Sequence, residues 1–291
     1  MHLLPILMNF TKRALLVCVL LLGVVSICSA QNTIYFPHVV DGPHGGSIVW
    51  KTSIFLTNPA AAGSGSTTVT VAFTQQNSAN TATSASGAGS PFNIAWADQN
   101  GNAVPGSGNS VTFQLAGQQT QVLISTAAGA YAGGFATVTS SQPVNGTAVF
   151  SEYDGNGKLI GEAGVPAATA VATQSIFVDT IGYNVGVAFA NPGTGPANLT
   201  LSLVDTTGKV VASAQQTLGP GNHNAAFTSQ FFPSVTTPLA GTMLISSSAP
   251  LVAVALRFNP AFTIFTTLPP VLIIAPDDNA TSSPRTRCRG P

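Results

Sequence analysis

The sequence predicts an all-β protein: two tandem antiparallel β-sandwich domains of immunoglobulin-like type behind an N-terminal signal peptide. Three observations carry this expectation. Apolar residues recur with period 2 in short runs rich in β-branched side chains. Turn dipeptides such as Asn-Gly and Asp-Gly separate the runs. Several landmarks then recur in the same order in the second half, as an internal repeat requires.

Residues 1–30 read as an address. Lys12 and Arg13 form a positive region, Ala14 to Val25 is an apolar run of twelve, and Ser26 to Ala30 supplies small residues for cleavage before Gln31. The run is shorter than the roughly 20 residues that a membrane-spanning helix needs, so a cleaved signal is preferred to an anchor. Translation from Met8 would leave a complete signal as well. The expected address is extracellular, with periplasm or cell surface as variants, and no membrane insertion of the mature chain.

The first repeat is expected over residues 31–172. Val69 to Phe73, Ser110 to Leu115 and Gln121 to Ile124 read as strands, with Gln99-Asn100-Gly101-Asn102 and Asp154-Gly155-Asn156-Gly157 as hairpin turns. The second is expected over residues 173–275. There Leu199, Leu201 and Leu203 alternate with Thr200 and Ser202, the mark of a half-buried strand, and Val252 to Phe258 is read the same way. No window of the mature chain sustains a helical pattern. Six to eight short strands per roughly 100 residues favour a sandwich, with a closed barrel as the alternative.

Two landmark sets align the copies. Ser53-Ile54-Phe55-Leu56-Thr57-Asn58-Pro59 recurs as Gly186-Val187-Ala188-Phe189-Ala190-Asn191-Pro192, and the segment from Gly134 to Val144 recurs from Gly241 to Leu251. The offset falls from 133 residues to 107, so the first copy carries 26 extra residues, mainly around 74–93. The uncharged stretch Ala167 to Thr173 joins copies that should touch. Each copy is expected to own a core, so that residues 173–276 should fold alone.

Phe36-Pro37-His38-Val39-Val40-Asp41-Gly42, the two Asn-Pro strand ends, Ser140-Ser141-Gln142-Pro143-Val144 and Arg257-Phe258-Asn259 together resemble secreted bacterial proteins with tandem β-sandwich repeats and no established activity. The resemblance implies export and fold. It transfers no functional residue.

Charge is sparse at 6% of residues. The body holds only Lys51, Lys158, Lys209 and Arg257 as cations, widely spread, which argues against nucleic acid and anionic membrane as partners. Mature His38, His44 and His223 lack HxH or HExxH spacing, so no metal or cofactor is expected. The loops at Asp154 and Asp98 lack the ligand and glycine spacing of a calcium loop and read as hairpin turns. Glu152, Asp154 and Glu162 flank a hairpin and read as solvated. No Gly-x-Ser-x-Gly elbow stands between a strand and a helix, and no acid pairs with Lys51 or Lys158 for an isopeptide crosslink. No catalytic residue is therefore assigned.

The expected function is a non-enzymatic extracellular structural, adhesive or interaction module whose partner is an extracellular protein or glycan. Trp50, opening a strand, reads as core or interface. The alternative is carbohydrate binding through exposed aromatics of the first repeat, with Trp96 and Phe92 as the stacking platform, set against core packing as the preferred reading of the same side chains. A secreted hydrolase of unrecognised type is third. Residues 276–291 read as a disordered tail, whose lone Cys288 is expected to support a minor disulfide-linked dimer.

Overall fold

A computed structural model describes residues 31–106 and 108–273. The signal-peptide and tail expectations, including Cys288, lie outside the described residues. The described chain is all-β. Its strands are β1 (Asn32–His44), β2 (Ile48–Thr57), β3 (Ser66–Gln75), β4 (Ser90–Pro91), β5 (Trp96–Ala97) and β6 (Ser110–Ala116). Next come β7 (Thr120–Ser125), β8 (Ala132–Ser140), β9 (Asn145–Tyr153), β10 (Leu159–Pro166), β11 (Val171–Asp179) and β12 (Asn184–Ala190). The last are β13 (Ala197–Asp205), β14 (Val210–Leu218), β15 (His223–Phe227), β16 (Ala240–Phe258), β17 (Phe265–Leu268) and β18 (Val271–Leu272). One helical turn, α1 (Thr228–Phe231), follows β15.

These strands form two antiparallel sheets, of ten and eight strands. In the first, β1-β8-β3-β6 pair along one part and β10-β9-β2-β7 along another, linked where β1 leaves β8 and pairs with β2. In the second, β11, the first part of β16, β13 and β14 pair in the same order. So do β17, the last part of β16, β12 and β15. The facing layers of the first half bury Val69, Val71 and Phe73 of β3 against Ile54 and Leu56 of β2 and Phe150 of β9.

Local chemistry explains the elements. In β13, Leu199, Leu201 and Leu203 are buried while Thr200 faces water, as the alternation predicts. Both Asn-Pro ends are anchors: the Asn58 amide donates to Leu115 O, and that of Asn191 donates to Gly195 O, Leu218 O and Gly219 O. Asp154 and Asp205 each accept backbone N–H groups two and four residues on, closing plain hairpin turns.

Val252 to Phe258 departs from the half-buried strand expected of it. Residues 251–256 of β16 are continuously buried. Ala253 and Ala255 face the second half's own core, while Val254, Leu256 and Phe258 pack into the core cluster of the first half. The strand is covered on both faces, so its polar alternation disappears.

The cores are therefore not separate. Ala188 of β12 and Phe265 of β17 also join the first half's cluster, and Ala85 of the first half joins the second's. The joining stretch is stitched to β1 by reciprocal hydrogen bonds between Tyr35 and Ala168 of 2.9 and 2.8 Å.

The extra residues near 74–93 form a strap across the second half. The Asn222 side chain accepts from Asn77 N and Asn80 Nδ2 and donates to Ala85 O at 2.8 Å. Gln216 donates to Ala82 O, Asn224 to Thr81 O, and Asn80 to His223 O. Backbone touches backbone here: a Cβ on Gly89 would overlap the Gly221 carbonyl, and one on Gly219 the Gly87 carbonyl.

Candidate functional site

Trp96 and Phe92 do not offer a stacking face. Each is only 4% exposed, and Trp96 stacks on Phe73 with ring centroids 4.7 Å apart. The segment before β5 folds over the end of β3, so these aromatics cover the first core instead of meeting solvent.

Another group of aromatic side chains, with Tyr131 and Phe262 exposed, lies where the two halves meet. The locality begins at Pro37, which has no N–H to give the ladder. The pairing of β1 with β8 skips from Phe36 to Val39, leaving Pro37 and His38 in a bulge. His38 thereby meets Phe150 edge-on at 5.2 Å and His223 of the other half. A few residues on, Gly42 adopts φ +107°, and a Cβ there would lie 2.7 Å from Tyr131 N. Only glycine allows the Tyr131 backbone so close. Tyr131 in turn packs on His44 at 4.3 Å.

The opposite wall comes from the second half. Arg257 is tied to Asp179 at 2.7 Å and lies over the Tyr183 ring, which fixes the end of β16. Phe258 follows, and the Asn259 carboxamide accepts from Thr263 N and Ile264 N to order the next loop. Phe262 in that loop has φ +57°, a costly conformation for a bulky residue. Its ring meets those of Phe227 and Phe258, each at 5.7 Å, while staying 42% exposed.

Between these walls is a cleft of about 390 Å³, within the range of small-molecule sites. Trp50 and Glu152, paired across β2 and β9, line it. Trp50 is half-buried and tilts against Phe265 at 5.5 Å, as an interface residue. Glu152 is not solvated as its place beside a hairpin suggested. It is 7% exposed, its Oε2 is sealed without a hydrogen-bond partner, and burial pushes its carboxyl above the usual range. By contrast Glu162 accepts from Ser151 Oγ, and Asp154 is engaged in its own turn.

Behind the cleft runs a polar chain across the joint. Gln76 Oε1 lies 3.1 Å from His223 Nδ1, and His223 Nε2 lies 2.9 Å from His38 Nδ1. With the Gln76 oxygen as acceptor, His223 donates from Nδ1 and accepts at Nε2, so His38 donates from Nδ1. Burial lowers His38 to about 4 and His223 well below its ordinary value, the latter also through repulsion from His38. Both rings are neutral at pH 7.

Sequence reasoning missed this site. The signal that could have found it was the set of motifs with no evident role: Phe36 to Gly42 supplies His38 and Val40, and Arg257-Phe258-Asn259 builds the facing wall. Among the described residues no three His, Cys, Asp or Glu side chains converge as metal ligands, and no helix is long and apolar enough to cross a membrane. Comparison with protein-family models, with curated proteins and with solved structures found no match.

Proposed function

We propose that the chain is a secreted, non-enzymatic interaction module. Two immunoglobulin-like sandwiches, arisen by duplication, are fixed at one angle so that their joint presents a binding cleft to an extracellular protein or glycan. The observation that carries this reading is the cleft itself, with Trp50, Tyr131, Phe258 and Phe262 gathered from both halves around one carboxyl group. Matching strand order in the two halves supports the duplication, and the strap and His pair supply the rigidity that preorganised binding uses. His38 and His223 are committed to each other and to Gln76, and His44 packs on Tyr131.

The test is made on protein recovered from the medium of an exporting host. The N-terminus should be Gln31, and panels of ester and glycoside substrates should remain unchanged. Small ligands that bind should shift the fluorescence of Trp50 and lose affinity in Tyr131→Ala. Turnover of any substrate by the pure protein, lost in Glu152→Gln, would replace this reading with a hydrolase.

A further inference from the structure

Building on the proposed binding role of the cleft, we infer that its ligand is an organic cation, an ammonium group carried on an apolar skeleton. Two features point the same way. The walls are aromatic: Trp50, Tyr131, Phe227, Phe258 and Phe262 surround the space, and aromatic faces carry the negative part of a quadrupole. Beside them stands Glu152, more than nine-tenths buried, to which no side chain or backbone group among the described residues donates a hydrogen bond. A buried carboxyl without a partner costs several kcal/mol if ionised. Oε2 itself is sealed, so a cation seated in the cleft that Glu152 lines offsets this cost through the charge of the whole carboxylate.

Among the described residues no cation fills that role. Arg257 is bound to Asp179 and Tyr183, and Lys51, next to Trp50 in the strand, lies 5.4 Å over the Tyr153 ring. Burial is the one influence that moves Glu152, with no neighbouring cation to pull it back. The remaining polar groups facing the space are the His38 and His44 rings and the Tyr131 hydroxyl. That set is small and grouped near one carboxyl. A sugar presents hydroxyls all around its ring and would leave most of them without partners against phenylalanine. The exposed Phe262, held in its positive-φ loop by Asn259, closes one side and gives the apolar skeleton a surface to lie on.

The test uses a Trp96→Phe background, in which Trp50 is the single tryptophan, and 2-phenylethylammonium as the probe. Neutral 2-phenylethanol and methyl glucoside are the comparators, with calorimetry as a second readout. Saturable quenching by the ammonium is expected, with affinity falling about tenfold or more in Glu152→Gln and in the 2-phenylethanol comparison. Glutamine matches the shape of glutamate, so the melting temperature of Glu152→Gln should hold, and Phe262→Ala gives an independent loss from the rim. Equal affinity for ammonium and alcohol, or no effect of Glu152→Gln, would overturn the cation assignment and leave the cleft as an apolar site. Preference for the glucoside would overturn it in favour of glycan recognition. No response to any probe, by fluorescence or heat, would overturn both this assignment and the binding role on which it rests.

Discussion

At neutral pH His38 donates and His223 accepts in the contact between them, so His223 cannot take a second proton at Nε2 without losing it, while burial keeps His38 neutral. Unfolded, each ring titrates near 6.5, whereas folded His38 does so at about 4. Between those values the unfolded chain holds more protons, so stability falls as the pH drops from about 6.5 towards 4. At about 1.36 kcal/mol per pH unit, His38 alone represents on the order of 3 kcal/mol. Glu152 and Asp41, both raised by burial, act in the opposite direction because their neutral forms suit the folded state. The melting temperature of the native protein should therefore drop more between pH 7 and pH 4.5 than that of a His38→Gln/His223→Gln double variant. Parallel curves would show that the pair is not what titrates. Trp96 makes a second residue-scale prediction. Trp96→Ala should cost about 3–5 kcal/mol in urea unfolding, because it removes a ring packed against Phe73. A stable variant would contradict its place in the core. For Trp96 the sequence left core packing and a stacking platform both open, because it stands beside the insertion and in one copy only; its burial comes from contacts made across the fold. Glu152 was read as solvated although its strand carried the opposite signal: it stands two residues after Phe150, and period 2 puts both on one face.

At the scale of elements, strand alternation was readable wherever one face meets water, as in β13, and failed in β16 where both faces are covered. The strap shows the same limit. Its extra length could be counted from the shift between the repeats, but its purpose could not, because its partners lie far along the chain. Asn222 is the centre of that contact, fully buried and bonded to Asn77, Asn80 and Ala85. Asn222→Ala would strand several buried polar groups at about 1–3 kcal/mol each, so a loss of roughly 3 kcal/mol or more is expected in denaturant unfolding. Gly219→Ala should be at least as damaging, since the added methyl meets the Gly87 backbone, which cannot swing aside as a side chain can. If both variants unfold at the native denaturant concentration, the strap is not docked in solution.

For the molecule as a whole, the sequence foretold an all-β chain, and it also suggested that residues 173–276 would fold alone. The shared clusters change that expectation. Removing the first half uncovers Val254, Leu256 and Phe258 and takes Ala85 out of the remaining core. The isolated fragment should melt well below the intact protein, and calorimetry of the intact protein should give one transition whose measured and van't Hoff enthalpies agree. Two resolved transitions, one matching the fragment, would mean that the halves are energetically independent. The strap carries one more consequence, which concerns time. Its residues precede their partners by 131 to 147 positions, so they are made long before the surface they grip exists. Until residues 216–224 arrive and fold, Asn80 and Ala85 must wait in water, and closing so long a loop is slow. A protease present during that interval meets a flexible substrate that the finished molecule withdraws. Whether the chain survives intact is then a race between docking and cutting, decided by a stretch of residues 77–89 that belongs to one half and is completed by the other.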